Sequence, residues 1–443
     1  TPHNVLHPQQ RRHDKRNENP IRIIILINTF KLKTMNFKKF LAATAIAFVM
    51  PGLANAQEAE QAPEKEGWIF SEEVRLPITS MKDQNAAGTC WCYSTLSFVE
   101  AELLRTTGKT YDFSEMFIVW NTYMDRAQAT VRTHGDISFS QGGSFYDVLY
   151  GIKHFGLVPD SELPAGVKHN DTLSDFSEFS RVCDPFVEAI VKGRKLQTDA
   201  NGNPLWKEAL AGILNAYIGE RPETFVYEGK EYTPKSFAES TGFNPDDYVN
   251  LASFSHHPFY EKFIIEVQDN WRWSTAYNLP IDELMEVMNY AIDNGYTFAW
   301  GSDVSEKGFL RGDNFGIMVL PDLDAKENND AATDKARWAG LSAEQRAKEA
   351  YSQPTPQRWV SQEERQIAYD NYETGDDHGM IIYGKAKDQL GNNYFIVKNS
   401  RGVTGNYDGT FYASEAFVRY KTMNIVVHKD ALPKHIKKAL GIK

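Results

Sequence analysis

The periodicity of apolar residues changes partway along this chain, and that change limits the folds open to it. From Cys90 to Leu104 the apolar positions Tyr93, Leu96, Val99, Leu103 and Leu104 recur at helical spacing. Helices are also predicted in DFSEMFIVWNTYMDRA, in SFYDVLYGIKHFG with its stop at Gly156, and through a block from about 165 to 295. In that block Pro234 sits just inside a Thr cap, and the run from Pro280 ends at Asn294-Gly295. Beyond it the sequence turns strand-like in YTFAWGSDV, GMIIYGKAKD, NYFIVKNS and GTFYASE, with QLGNN as a hairpin connection between the middle pair. Helices first and antiparallel strands late define an α+β arrangement. Residues 322–353, polar and helix-prone, read as a surface excursion.

The first 56 residues are set apart from this core. Met35 opens a secretory signal over 35–56: Lys38 and Lys39, an apolar run from Phe40 to Met50, and the small-residue cleavage site Ala54-Asn55-Ala56 before Gln57. The apolar run is too short to span a bilayer, and no Cys follows it to carry a lipid. Residues 1–34 read as upstream sequence, 57–67 as an acidic linker, and 68–443 as the folded domain. Export to the periplasm or the medium is the expectation. Without residues 1–56 the chain keeps 39 basic and 57 acidic residues, a net of −18, which argues against nucleic acid or an anionic membrane as partner.

Three cysteines, Cys90, Cys92 and Cys183, are an odd number for an exported chain, so at least one thiol is expected to be free. Cys90 lies at the N-terminal end of a predicted helix, where the helix dipole lowers a thiol pKa; an imidazole from elsewhere in the chain would complete a nucleophile. Of eight histidines outside the first 56 residues, His378 in GDDHGMIIYG stands at the mouth of a strand, and Asn399 ends the next one in YFIVKNSRG. A hairpin between them would set the amide beside the imidazole as an orienting group. Gln84, six residues before Cys90, can aim its amide at a developing oxyanion, with the Cys90 backbone N–H as second donor.

The pattern of Gln84, five residues, then Cys90-Trp91, followed by His378 and by Asn399-Ser400-x-Gly402, resembles that of papain-fold cysteine peptidases. Within them it is similar to the bleomycin hydrolase and bacterial aminopeptidase C branch, which the separation of 288 positions from Cys90 to His378 selects. The resemblance runs from about Leu76 to Leu440 and includes DFSEMF and QGGSF. It implies a papain-like cysteine peptidase fold, with a helical left subdomain, an antiparallel β-barrel-like right subdomain and a large helical insertion at about 165–295. It also implies peptide substrates, a thioester acyl-enzyme formed by Cys90, His378 and Asn399, and Gly142 and Gly143 as backbone contacts for substrate. No metal or organic cofactor is implied, and relatives of this branch assemble into a caged homo-oligomer, a hexamer. Three positions depart from the pattern. Ala87 stands where ordinary papain-like enzymes carry a half-cystine, Arg401 replaces the Trp that shields the His/Asn pair, and the chain ends at Gly441-Ile442-Lys443, short of the arm that restricts relatives to free N-termini. Endopeptidase action, another thiol acyl-hydrolase activity and a catalytically weakened binding relative therefore stand beside aminopeptidase action.

Other residues have plainer readings. Cys92 and Cys183 are expected to pack as small hydrophobes, Trp300 as core, and Asp377 as a solvated loop carboxylate or a bias on His378. His428 and His435 are expected to face solvent. The adjacent pair His256-His257 is read as loop, not as a metal pair, because neighbouring side chains diverge.

Overall fold

A computed structural model describes residues 67–169, 171–323 and 342–443. The expected upstream segment, signal and nearly all of the linker lie outside these residues, as does most of the expected surface excursion. Two layers face one another. The helical layer contains α1 (Cys90–Thr107), α2 (Glu115–Arg132), α3 (Phe145–His154), α4 (Ser177–Gly193), α5 (Leu205–Tyr217) and α6 (Pro234–Thr241). Its core is aromatic-rich, with Tyr123, Phe176 and Phe179 buried against Trp91 and Leu96 of α1. Cys92 and Cys183 belong to this core as the sequence suggested, and all three thiols are free.

The second layer is a ten-stranded sheet. Its strands are β1 (Phe70–Arg75), β4 (Tyr248–Ala252), β5 (Lys262–Ile264), β6 (Thr275–Asn278), β7 (Phe298–Ser302), β8 (Ile317–Met318), β9 (His378–Asp388), β10 (Asn393–Lys398), β11 (Thr410–Ser414) and β12 (Thr422–His428). A separate hairpin, β2 (Phe225–Tyr227) and β3 (Lys230–Tyr232), belongs to the helical half. The order is β5-β6-β4-β12-β7-β9-β10-β11-β8, with β1 added on β9. Pairing is antiparallel except for β4 with β6 and β8 with β11. Helix α7 (Ile281–Asp293) covers the sheet through Leu284, Met288 and Ile292, packed in one core with Trp300 and Ile382. Trp300 is fully buried and donates its indole N–H to Thr422 Oγ1 at 2.8 Å. Phe98 and Ala101 of α1, Phe145 and Leu149 of α3, and Ala299, Ile381 and Val426 of the sheet form the apolar seam between layers.

The helical block expected at 165–295 needs correction. The helices of the helical layer end at Thr241; residues 248–278 form β4, β5 and β6 of the main sheet, and α7, the last helix of the block, covers that sheet. β5 and β6 are three and four residues long, too short for a period of two to stand out, and β4, five residues long, does not alternate, its last two residues being buried in succession.

Polar contacts join the layers around the buried ammonium of Lys82. Lys82 Nζ lies 3.1 Å from Glu100 Oε1 on α1, 2.8 Å from Glu115 Oε1 on α2 and 2.8 Å from Asp112 Oδ1. The other Glu100 oxygen accepts from Thr79 Oγ1 at 2.7 Å, and Lys398 Nζ at the end of β10 donates to that hydroxyl at 3.2 Å. Burial pushes Glu115 up to about 7 against the pull of Lys82, and pushes Lys398 down to about 8. Removing the Lys82 charge leaves Glu100 and Glu115 buried and unpaired. Lys82→Met is expected to cost about 3–5 kcal/mol, read as a lower urea midpoint. A loss below about 1 kcal/mol would show that the ion cluster does not hold the layers.

Candidate active site

Cys90 is the first residue of α1, whose first turn carries no acidic side chain to oppose a thiolate. Thr89 caps the helix by its backbone, its carbonyl accepting from Cys92 N and Tyr93 N at 2.9 and 3.1 Å. Across the seam β9 begins at His378, and the Gly379 backbone N–H points at the Cys90 sulfur. Gly379 has no room for a side chain, since a Cβ there would lie 2.6 Å from Ser94 Oγ. The strand can therefore approach the helix that begins with Cys90 closely.

The β9–β10 hairpin brings the amide to the imidazole, with His378 Nε2 2.8 Å from Asn399 Oδ1. That oxygen also accepts from the Ser400 backbone N–H at 2.8 Å, which fixes the orientation of the amide. An amide oxygen only accepts, so the His378 proton sits on Nε2 and Nδ1 keeps a free lone pair. Gln84 is fixed in the same way. Its Oε1 accepts from Ser400 Oγ at 2.5 Å, and its Nε2 donates one of two protons to Ala87 O at 2.8 Å. Ser400, quoted in the motif without a role, thus orients both amides.

Cys90, His378, Gly142 and Gly143 line one solvent-open cavity of about 220 Å³ with Trp91, Asp269 and Asp376. Gln84 is buried behind this wall and is not one of its lining residues. The two glycines are required by contact. A Cβ on Gly143 would meet the Trp91 ring at 2.8 Å, and one on Gly142 would meet Asp269 Oδ2 at 2.0 Å. Trp91 in turn donates its indole N–H to Gln141 O at 3.0 Å, holding the glycine segment along the cleft. Arg126, fully buried, donates to Gly142 O at 2.6 Å and pairs with Asp269 at 3.3 Å. Asp269, Asp376 and Arg126 were missed in the sequence because no motif marks them; they meet only in the fold.

The site is electrostatically divided. Burial pushes the Cys90 thiol up to about 11, and Asp376 and Asp269 add to the rise. Burial lowers the pKa of His378; Asn399 raises it, Arg401 lowers it further and Asp377 raises it. Neither charged partner is favoured alone, so a thiolate and an imidazolium here would stabilise one another. Asp377 is an exposed loop carboxylate that raises the His378 pKa, and its Oδ2 also accepts from Ser305 N at 3.1 Å and Val304 N at 3.3 Å, tying down the loop after β7. Arg401 is exposed, and its guanidinium reaches Asn85 O at 3.3 Å, so a cation stands at the position expected of a shielding ring.

Among the described residues one group has His, Cys, Asp or Glu donors within reach of a single ion: His256, His257 and Glu266, which do not line this cavity. Of the two C-terminal histidines, His435 is exposed as expected. His428 instead packs against Tyr248 and Tyr296, with ring centroids at 5.2 and 5.7 Å.

The sequence profile of the Peptidase C1-like family matches residues 25–336, a span that contains Gln84, Cys90 and the glycine pair. Two helically and sheet-layered halves, with a Cys at a helix start facing a His/Asn pair on a hairpin, define a papain-like cysteine peptidase. The chain belongs to the Peptidase C1-like family. It is 21% identical to aminopeptidase G of Lactobacillus delbrueckii subsp. lactis, covering 88% of this chain and 90% of that one. It is 24% identical to aminopeptidase C of Lactobacillus helveticus, with 84% of each chain covered. The crystal structure of pepw from Lactobacillus rhamnosis superposes with a TM-score of 0.61 at 18% identity, over 84% of each chain, and shares the fold.

Two outcomes test this electrostatic arrangement. In His378→Ala the thiol loses its partner, and its alkylation by iodoacetamide is expected to rise only near the value of about 11 set by burial; an unchanged profile at neutral pH would separate His378 from Cys90. Arg401→Gln removes a cation that opposes the imidazolium, so the His378 pKa rises and the acidic limb of kcat/KM, below which His378 cannot take the thiol proton, moves to higher pH. A limb that stays in place would mean that Arg401 does not act on His378.

Proposed function

We propose that the protein is a cysteine aminopeptidase in which Cys90 is the nucleophile, His378 its base and acid, Asn399 the orienting group and Gln84 an oxyanion donor. The observation that carries this reading is the cavity lining, where Cys90 and the Asn399-bound His378 meet beside the carboxylates Asp269 and Asp376. His378 Nδ1 takes the thiol proton, and the thiolate adds to the scissile carbonyl. The Cys90 backbone N–H receives the oxyanion, and the second Gln84 N–H, which lies behind the cavity wall before substrate binds, completes the pair as the bound carbonyl presses against that wall. Collapse transfers the proton from His378 to the leaving amine and leaves a thioester, which water activated by His378 hydrolyses. Gly142 and Gly143 offer a bare backbone edge on which an extended peptide can lie.

Removal of N-terminal residues requires a group that holds the substrate's α-ammonium. Asp269, fixed by Arg126, and Asp376 supply negative charge on the same wall as the nucleophile. Asp376 is open to the solvent of the cleft, and partial desolvation of its carboxylate together with the neighbouring Asp269 and Asp377 raises its pKa, to about 7. Below that value it is protonated and holds an ammonium weakly; above it the hold tightens, until the substrate amine deprotonates near about 8. KM for a free-amino dipeptide substrate is therefore expected to be lowest between these limits. Asp376→Asn should remove the acidic side of that minimum, and Asp269→Asn should raise KM about tenfold or more, from the ~1.5–3 kcal/mol of a charge-assisted hydrogen bond.

Profiling against paired peptides, free and N-acetylated, decides the reading. Cleavage confined to free N-termini is the expected result, equal cleavage of both means endopeptidase action, and no cleavage of either favours a binding relative or another acyl substrate. The reading includes export through residues 35–56, for which N-terminal sequencing of the secreted protein should start at Gln57. It also includes homo-oligomeric assembly, which a monomer mass by light scattering would exclude.

A further inference from the structure

We propose that His256, His257 and Glu266 form a site for a divalent transition-metal cation of the zinc class, behind the wall of the cleft. Neighbouring side chains diverge on an extended strand, but residues 255–257 follow β4 in a turn, and both rings come to one side. Their centroids are 4.4 Å apart. The two Nε2 atoms face the two oxygens of one carboxylate: His256 to Glu266 Oε2 at 3.2 Å, His257 to Glu266 Oε1 at 2.7 Å. All three donor atoms lie within 4.8 Å of one another. Ligand atoms around a tetrahedral zinc with bonds of about 2.0–2.1 Å stand about 3.3 Å apart, so small side-chain shifts suffice. Two neutral imidazoles and a carboxylate suit zinc better than calcium or magnesium, which prefer oxygen, and three protein ligands leave a fourth position for water.

The donors are held before any metal arrives. The His257 ring lies 4.8 Å from that of Phe263, and the His256 ring stacks on Tyr369 at 5.7 Å. The turn is pinned by buried Asn278, whose Nδ2 donates to Phe254 O at 2.8 Å and His257 O at 3.0 Å. Gln366 Nε2 donates to His256 Nδ1 at 2.9 Å and to Asp370 Oδ1 at 2.8 Å, while its Oε1 accepts from Ser255 N at 2.7 Å. In the metal-free protein the His256 proton is therefore on Nε2. A metal replaces it there, and the proton shifts to Nδ1, where an acceptor is needed. The site bears on the cleft because Glu266 lies between Ile265 and Val267, which line the cavity with Asp269. An ion bound at Glu266 tethers this wall segment to the 255–257 turn.

The experiment uses the full chain with Cys90→Ser, which removes the thiol that would itself take up zinc. Calorimetric titration with zinc is expected to show one equivalent bound and a raised melting temperature. Cobalt(II) should give a visible spectrum without a thiolate charge-transfer band. His257→Ala and Glu266→Gln should weaken binding at least tenfold, the latter keeping the side-chain shape, and Gln366→Glu, which supplies the Nδ1 acceptor, should tighten it. Hydrogen exchange across 254–278 should slow on zinc addition. Binding that is absent below millimolar zinc, or indifferent to His257→Ala and Glu266→Gln, would overturn the proposal.

Discussion

The ammonium of Lys82 is the contact on which both halves of this molecule depend. It stands two residues before Gln84, binds Glu100 on the helix that begins with Cys90, and binds Glu115 on the next helix. Glu100 also receives Thr79, to which Lys398 donates one residue before Asn399. One chain of charges and hydroxyls thus runs from the neighbourhood of Gln84 through the helix of Cys90 to that of Asn399. Burial makes such a cluster costly to assemble and costlier to break. Its value lies in position: apolar packing across the Phe98–Ile381 seam brings the layers together without a preferred sliding register, whereas hydrogen bonds of about 3 Å admit only one.

Ser400 extends the same logic to the reacting groups. Its backbone N–H turns Asn399 so that the amide oxygen faces His378, and its hydroxyl turns Gln84 so that the amide nitrogen faces away from Ser400. Neither amide can rotate without leaving a buried donor or acceptor unpaired, which costs about 1–3 kcal/mol. The site therefore meets its substrate with tautomer and donor direction already chosen. The cleft opposite is acidic, and the same carboxylates that suit an incoming ammonium raise the thiol's pKa. Affinity for a cationic end and ease of ionising the nucleophile are opposed here, with the imidazole compensating.

Much of the α+β layout was legible because α1, α2, α3 and α7 carry long helical periods and β9 and β10 are long enough to show as strands. Strands β4, β5 and β6 were not, since a three-residue strand has no period to read and exists because β12 and its neighbours offer hydrogen bonds. Cys90, His378, Asn399 and Gln84 were legible through their residue types and chain order. Asp269, Asp376 and Arg126 were not, being scattered acids and a base with no local pattern. His256-His257 illustrates the limit most simply, because whether adjacent rings converge depends on a turn that Asn278, twenty residues away, holds in place.

The sequence by itself determined the chemical inventory and its order: a thiol at a helix start, an imidazole and an amide on consecutive strands, and glycines where a backbone must pass close to other atoms. These are local properties, set by periodicity, by the missing Cβ of glycine and by side-chain chemistry. Tertiary structure alone decided which carboxylates face the thiol, which way the amides point, and how far burial moves each pKa. Those depend on distances between atoms remote along the chain, and only the packed layers set such distances.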